Sequence, residues 1–308
     1  MRGRLIAVAL LLVADAAAAD ELKPTAAARK AAADLSAGRQ AEGLKKLEAA
    51  ANGGDVYARI LLGETYYFGV FGVARDPVRA CTEFDRAKDL AGEAAHNYGQ
   101  CLFAGDGLPK DLAGARIWYA KAADLGHVQS KCALGNMLVR GQGGPVDVAG
   151  GLTLCREAAE AGDADAQTDL GDYYYVGRVV PKDPAEARRW YEKAAAQDQA
   201  NAAYALGVMS WNGDGGPADQ AAADRWWRLA DKNGNRRAAY HLGVYAYARF
   251  MAAHKPGDLS GLDEAIGWLG KAAADDPDPE RRADAQRILK LARAIRDALA
   301  SPTAAHQN

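Results

Sequence analysis

The chain has 308 residues, 25% of them charged, and a formal net charge of −2 at pH 7. Acidic and basic residues are interspersed along it, so the sequence lacks the concentrated basic face that nucleic-acid binding requires, and we expect no nucleic-acid partner. The four cysteines show no CxxC or other zinc spacing, so we expect no metal site either.

Residues 1–19 have the layout of a secretory signal peptide. Arg2 and Arg4 precede an apolar stretch from Leu5 to Ala14, and small residues lead to a predicted cleavage site near Ala19. This stretch is shorter than the about 20 residues that cross a membrane, and no later stretch is long and apolar enough. We therefore predict an exported protein, periplasmic or secreted, with no transmembrane segment after cleavage.

A 36-residue period follows, marked by a glycine that we call the repeat glycine. The six repeat glycines are Gly63, Gly99, Gly135, Gly171, Gly207 and Gly243. A small residue lies five positions before each of them: Ala58, Ala94, Ser130, Ala166, Ala202 and Ala238. A second glycine lies six positions after the first five: Gly69, Gly105, Gly141, Gly177 and Gly213. The sixth repeat has Arg249 there. A fixed period of this length predicts a solenoid.

Each period contains two predicted helices, here called the A helix and the B helix. The small residue, the leucine before most repeat glycines and the positions just beyond follow the i, i+4, i+7 spacing of one helix face. The second glycine ends the A helix, because glycine adopts the left-handed conformation cheaply. The repeat glycine inside that helix costs roughly 0.5–1 kcal/mol relative to alanine, so we expect it to admit a close neighbour.

The B helix follows a short loop such as GDGLPKD or GRVVPKD. It carries a large apolar residue and an alanine: Phe84 and Ala87, Trp118 and Ala122, Leu154 and Ala158, Trp190 and Ala194, Trp226 and Ala230, Trp268 and Ala272. The last pair is displaced by six residues, which places an insertion between about Phe250 and Gly261.

The pattern Ala-x4-Leu-Gly-x5-Gly, a loop ending in Asp, and Ala-x2-Trp-Tyr-x-Lys-Ala-Ala resembles the Sel-one-like repeat, a longer-looped relative of the tetratricopeptide repeat. The resemblance covers residues 55–276. It implies an all-α fold, an α/α solenoid or right-handed superhelix of about six helix-hairpin repeats. We assign residues 20–54 to a degenerate leading unit and 277–300 to a C-terminal capping helix, and expect a disordered tail at 301–308.

No motif for catalysis or cofactor binding stands out. The sequence has no HExxH, GxSxG, P-loop or SxxK motif. Its five histidines are scattered among different repeats and loops: His96, His127, His241, His254 and His306. We expect no catalytic, cofactor-binding or metal-binding residue.

Two sequence features resemble ligand-binding sites but are explained by the helix ends at which they lie. The loops GDGLP, GQGGP and GDGGP recur where a helix must end, which favours helix termination over phosphate binding. Four acids, Asp163, Asp165, Asp169 and Asp172, lie close together in sequence. Their spacing is not that of an EF-hand loop, and acids near a helix start interact favourably with the helix dipole. We expect no calcium site.

The four cysteines favour disulfides that staple the repeats. Cys81 falls on a B helix and Cys101 on the next A helix, elements that neighbour each other in such a stack. Cys132 and Cys155 belong to the two helices of one repeat, but Cys132 falls on the predicted groove face, so this pairing stays open. The resemblance includes a cysteine-rich branch credited with β-lactam binding, whose cysteine spacing this chain does not reproduce.

One face of the A helices remains opposite the predicted core, and we call it the A-helix stripe. It lies three residues before, one after and four after each repeat glycine, positions that line the concave groove in tetratricopeptide relatives. The stripe consists of Ile60, Glu64, Tyr67, His96, Gln100, Phe103, Cys132, Asn136, Val139, Thr168, Asp172, Tyr175, Tyr204, Val208, Trp211, Tyr240, Val244 and Tyr247.

Large aromatics in a groove supply contact area at binding hot spots. We predict partner binding by Tyr67, Phe103, Tyr175, Tyr204, Trp211, Tyr240 and Tyr247. The alternative is that neighbouring helices bury these rings against each other.

The favoured function is an exported, non-enzymatic adaptor or regulator that binds a protein or peptide. The alternatives are a β-lactam- or peptidoglycan-acting hydrolase and a glycan-binding scaffold for polysaccharide export or the cell wall.

Overall fold

The computed structural model describes residues 22–253, 255 and 257–300. The predicted signal peptide and C-terminal tail lie outside these residues, as do His254, His306 and part of the predicted insertion. No helix among the described residues is long and apolar enough to cross a membrane.

Every regular element in the described part of the chain is an α-helix. In chain order these are α1 (Ala26–Ser36), α2 (Gln40–Asn52), α3 (Val56–Phe68), α4 (Pro77–Ala87), α5 (Gly92–Ala104), α6 (Leu112–Asp124), α7 (Val128–Arg140), α8 (Val148–Glu160), α9 (Ala164–Val176), α10 (Pro184–Ala195), α11 (Ala200–Asn212), α12 (Gln220–Lys232), α13 (Ala238–Ala253), α14 (Ser260–Asp275) and α15 (Pro279–Ala300). The helices α1 and α2 form a leading pair, α3 to α14 form six hairpins, and α15 follows as the cap. The predicted all-α repeat fold is confirmed.

Both ends of the repeat loop are fixed by local chemistry. The second glycine of each of the first five repeats has a left-handed backbone, with φ between 63° and 79°, and ends or directly follows its A helix. The aspartate that closes each loop caps the B helix, because its carboxylate accepts hydrogen bonds from backbone N–H groups of the first turn. These caps are Asp76, Asp111, Asp147, Asp183 and Asp219.

The repeat glycines admit a side chain of the B helix. A Cβ added at Gly207 would lie 2.3 Å from Cδ1 of Trp227, and one at Gly171 would lie 2.5 Å from the ring of Tyr191. The contacting residues occupy one equivalent position in all repeats: Phe84, Tyr119, Cys155, Tyr191, Trp227 and Leu269. In most repeats this is the residue after the large apolar residue that the sequence pattern marks, and we call it the glycine-facing position.

The glycine-rich loops pack against the preceding repeat. A Cβ at Gly143 would lie 2.1 Å from the carbonyl oxygen of Leu112, at the start of α6, and φ of Gly143 is 73°. Gly107 and Gly215 make the same close approach to the carbonyl oxygens of Pro77 and Pro184. These loop glycines therefore allow close packing against the preceding repeat, in addition to the helix termination that the sequence predicts for the loops.

The chain divides into two compact units, Met1–Gln167 and Thr168–Asn308. Unit 1 contains both disulfides. One joins Cys81 of α4 to Cys101 of α5, and the other joins Cys132 of α7 to Cys155 of α8. The second pairing, which the sequence leaves open, forms because Cys155 holds the glycine-facing position and so lies beneath the A helix that carries Cys132. Two disulfides fit an oxidising compartment.

Unit 2 contains no cysteine and is held together by large apolar side chains. Its main core is built from α10 to α13, with Tyr191, Leu206, Met209 and Trp227 among its buried residues. A second cluster joins α13 and α14 to the capping helix through Leu269 and Leu289. The cap therefore covers an apolar face of the last hairpin.

Candidate functional site

The A-helix stripe is accessible to solvent along most of its length. All of its residues are partly or well exposed except Ile60 and Cys132, which are 2% and 3% exposed. Ile60 packs with Ala87, Ala91 and Ala94, and Cys132 is tied into a disulfide. The stripe assignment is therefore wrong at these two positions, where a neighbouring element covers the side chain.

Trp211 is the most exposed aromatic residue of the stripe. Its residue exposure is 38%, whereas that of Trp227 beneath it is 2%. The two rings are 5.8 Å apart, and Tyr245 contacts Trp211 edge-on with the ring centroids at 5.5 Å. Trp211 is thus held in position by aromatic neighbours while a large part of its ring faces solvent.

Three stripe tyrosines of unit 2, Tyr175, Tyr204 and Tyr240, form hydrogen bonds through their hydroxyls to residues later in the chain. Tyr175 donates to Asp214 at 2.9 Å, and Tyr240 of α13 donates to Asp284 of the cap at 2.7 Å. Burial and the bond to Asp284 raise the pKa of Tyr240 to about 12. The hydroxyl of Tyr204 bonds Nε2 of His241 at 3.0 Å. These bonds fix the ring orientations and leave ring surface partly exposed.

Tyr247 lies near the cap. It packs against the cluster of Phe250, Leu262 and Ala292 and is half-buried there. The Tyr247 ring therefore contributes both to the stripe and to the packing against the capping helix.

The stripe residues of unit 1 are placed differently. Arg75 lies over the ring of Tyr67, 5.5 Å from its centroid, and the Phe103 ring contacts Tyr119 at 6.5 Å. Tyr57 neighbours this stripe, and burial, with Glu93 and Glu64 nearby, raises its pKa to about 12. The stripe of unit 1 carries fewer large rings than that of unit 2.

A polar cluster that the sequence pattern misses links the stripe residue His96 of unit 1 to Ser130 and His127. Ser130 is fully buried, and its hydroxyl bonds Nδ1 of both His96 and His127 at 2.8 Å. The two imidazole rings are 4.6 Å apart. Burial lowers the pKa of His127 to about 4. Ser130 replaces the alanine of the other repeats, and its hydroxyl, inaccessible to a substrate, is satisfied by the two histidines.

A second partly buried histidine lies in unit 2. His241 stacks on Trp227, with ring centroids 4.8 Å apart. Burial, assisted by the positive charge of Arg281, lowers its pKa to about 4, although Asp276 opposes this shift. The neutral imidazole is thus part of the packing beneath the stripe.

The acidic segment around Asp163 has a structural role. Asp163 accepts a hydrogen bond from the N–H of Ala166 at 2.7 Å and so caps α9. Among the described residues, no group of three or more His, Cys, Asp or Glu side chains is arranged to hold a metal ion.

The sequence model of the Sel1 repeat family matches residues 56–81, 92–127, 128–163, 164–199 and 200–235. These segments make up more than half of the chain, which therefore belongs to the Sel1 repeat family. Proteins built from this repeat are typically non-enzymatic scaffolds for protein–protein interaction. The leading pair and the sixth hairpin lie outside the matched segments.

Two solved structures show the same fold. A Sel1 repeat protein from Oxalobacter formigenes is 26% identical, with a TM-score of 0.63, over 83% of this chain and 100% of its own. A protective antigen of uropathogenic Escherichia coli strains, which displays an SLR fold, is 28% identical, with a TM-score of 0.56, over 84% of this chain. This chain spans 56% of that antigen's length. The comparison with curated proteins gave no match.

Proposed function

We propose that this protein is an exported adaptor that holds a segment of another protein against the A-helix stripe. The observation that carries this proposal is the exposure of Trp211 among rings that fix its position. A fixed, partly exposed tryptophan offers contact area without the entropy cost of ordering a flexible side chain. The family's typical role in protein interaction supports the same conclusion.

The partner-binding residues in this proposal are those of the stripe that carry large rings. They are Tyr67, Phe103, Tyr175, Tyr204, Trp211, Tyr240 and Tyr247. The five in unit 2 form its densest part, so we assign the main contact to that unit.

Export to a bacterial periplasm is part of the proposal. The signal-peptide pattern of residues 1–19 and the two disulfides of unit 1 support it together, because disulfides persist in oxidising compartments. The proposal includes no catalytic step. Ser130, the serine bonded to two histidines, is fully buried and so is not a nucleophile that a substrate reaches.

Photo-crosslinking in the native host tests this function. The reactive residue replaces Trp211 or Tyr175, and a control replaces Arg189, an exposed residue on α10. We expect one discrete protein adduct from the two stripe positions and none from Arg189. Adducts of equal yield from all three positions, or no protein adduct from any, would contradict an adaptor that uses the stripe.

A further inference from the structure

His241 connects the stripe of unit 2 to the side chains packed beneath it. Its Nε2 and the hydroxyl of Tyr204 form a hydrogen bond of 3.0 Å, and its ring stacks on Trp227 with the ring centroids 4.8 Å apart. Tyr240 contacts the imidazole edge-on, with the centroids at 5.5 Å. Trp227 also packs against Trp211, 5.8 Å away. One partly buried imidazole therefore contacts two stripe tyrosines directly and reaches the exposed Trp211 through a single ring.

Charged groups at the start of the capping helix lie close to this imidazole. Asp276 lies between α14 and α15, is 1% exposed and forms an ion pair with Arg281 at 3.1 Å. The positive charge of Arg281 disfavours protonation of His241, and the negative charge of Asp276 favours it. Trp227, the contact from α12, does not titrate. The titratable groups around the His241–Tyr204 pair are Tyr240 of α13, Arg237 before that helix, and Asp276, Asp278 and Arg281. A proton on His241 would thus place a second positive charge near Arg281.

Protonation of His241 is therefore unfavourable in the arrangement that the structure shows. Burial and then Arg281 lower the pKa of His241 to about 4, although Asp276 opposes the shift. When the side chain moves into water, its pKa returns to about 6.5. From pH 7 to pH 5, the displaced imidazole gains a proton that the packed imidazole does not. The equilibrium constant for displacement therefore rises about twentyfold over this range.

We propose that His241 is a pH-sensitive latch on the stripe of unit 2: it holds Tyr204, Tyr240 and Trp211 in place while neutral, and its protonation displaces it and releases the partner. This inference rests on the proposed function and adds the regulation of the same site. Histidine is the side chain whose charge changes between pH 5 and 8, and its protonation is a known means of switching interfaces. Within the described part of unit 2, His241 is the only histidine, so a single substitution removes the imidazole from the site.

His127 of unit 1 provides a matched control. Burial lowers the pKa of His127 to about 4 as well. Its ring bonds Ser130 and packs against His96, so these contacts lie within unit 1. His127→Asn therefore removes a histidine of the same pKa that is not part of the latch.

NMR titration of the purified full chain tests the latch without the partner. Labelled histidine reports the protonation of His241, assigned by the signal that His241→Gln removes, and labelled tryptophan reports the indoles of Trp211 and Trp227. We expect both indole signals to move with the midpoint of His241, well below pH 6.5, in the wild type and in His127→Asn, and to stay in place in His241→Gln. Circular dichroism follows the fold over the same range. Indole signals that do not follow His241, or a fold lost at the same midpoint, would overturn the latch.

Crosslinking from Tyr175 in the native host separates the latch from the adaptor function. Cells are irradiated at pH 7 and at pH 5. In the wild type and in His127→Asn, we expect the yield of the partner adduct to fall several-fold at pH 5, and by no more than about twentyfold. In His241→Gln, and in His241→Phe, which keeps a stacked ring, the yields at the two pH values should be equal.

The other outcomes each decide one question. An adduct whose yield in the wild type does not change with pH keeps the adaptor and overturns the latch. An equal fall in the wild type and in both His241 variants does the same. Loss of the adduct at pH 7 in both variants also overturns the latch, because His241 would then have only a structural role. No adduct from any chain at either pH contradicts the adaptor function, and the NMR titration then decides whether the imidazole still moves the rings.

Discussion

The third repeat, in unit 1, and the fifth repeat, in unit 2, hold their two helices together differently at the glycine-facing position. The fifth repeat uses a buried aromatic ring, and the third repeat uses a disulfide bond. In the fifth repeat, Trp227 fills the glycine-facing position with a buried ring against Gly207. In the third repeat, that position is Cys155, which is bonded to Cys132. The helices α7 and α8 approach so closely that a Cβ at Gly135 would lie 2.5 Å from the backbone oxygen of Gly151. There is no room for a ring, and a covalent bridge takes its place.

The buried ring of the fifth repeat and the disulfide of the third repeat contribute similar free energies of stabilisation. Burying a large apolar side chain stabilises by about 1.5–3 kcal/mol, and a disulfide closing a loop of this length stabilises by about 3 kcal/mol. A repeat can therefore exchange one for the other without losing its stability. The exchange affects the stripe above, because the bridge withdraws Cys132 from the surface whereas the ring supports the exposed Trp211.

The largest effect should come from removing the ring. We expect Trp227→Ala to lower the free energy of unfolding by about 3–5 kcal/mol, since it empties a site beneath α11 and leaves His241 without its stacking partner. Denaturant unfolding followed by circular dichroism measures this. Because each repeat contacts only its neighbours, amide hydrogen exchange should accelerate in α11 to α13 and not in α3 to α6. A uniform acceleration would contradict local packing as the cause.

Removing the bridge of the third repeat should cost slightly less. The double variant Cys132→Ala and Cys155→Ala opens a loop of 23 residues, and we expect a loss of about 3 kcal/mol. The matched variant lacking Cys81 and Cys101, whose loop is 20 residues, should lose about as much. The measurement is denaturant unfolding of each variant without reductant. A loss below about 1 kcal/mol would mean that helix packing alone holds α7 on α8.

The partly buried histidines predict the same pH dependence in both units. His127 and His241 have folded pKa values of about 4, against about 6.5 in an unfolded chain. Below pH 6.5 the unfolded chain gains protons that the folded chain does not, so stability is complete above pH 6.5 and falls towards pH 4. At pH 5 we expect a loss of about 1–2 kcal/mol per histidine.

Two variants separate the histidines in this experiment. His127→Asn keeps a nitrogen near Ser130, and His241→Gln keeps one near Tyr204, but neither titrates. Each should remove about half of the decline in unfolding free energy between pH 7 and pH 5. An unchanged decline in either variant would show that this histidine is not its source.

The sequence predicts the periodic features and misses contacts between repeats. Gly69 and its equivalents end helices for a reason that lies in their own backbone, so a single position suffices to predict them. Ser130 and His96 are 34 residues apart, and the periodic pattern treats Ser130 only as a small residue. Ile60 fits the stripe by spacing but is covered by a neighbouring helix. Whether a residue is buried in this way depends on the side chains of the neighbouring helices. The 36-residue sequence pattern carries no information on those contacts.

The smallest expected effect on stability is that of Trp211→Ala, and this change separates core from contact surface. The ring is 38% exposed and touches Trp227 from outside, so its removal opens no closed cavity. We expect a loss of about 1 kcal/mol or less by denaturant unfolding. The yield of the partner adduct from a crosslinker at Tyr175 should fall strongly in the same variant. A loss near that of Trp227→Ala would show that Trp211 belongs to the core, and the stripe would then no longer support the adaptor function.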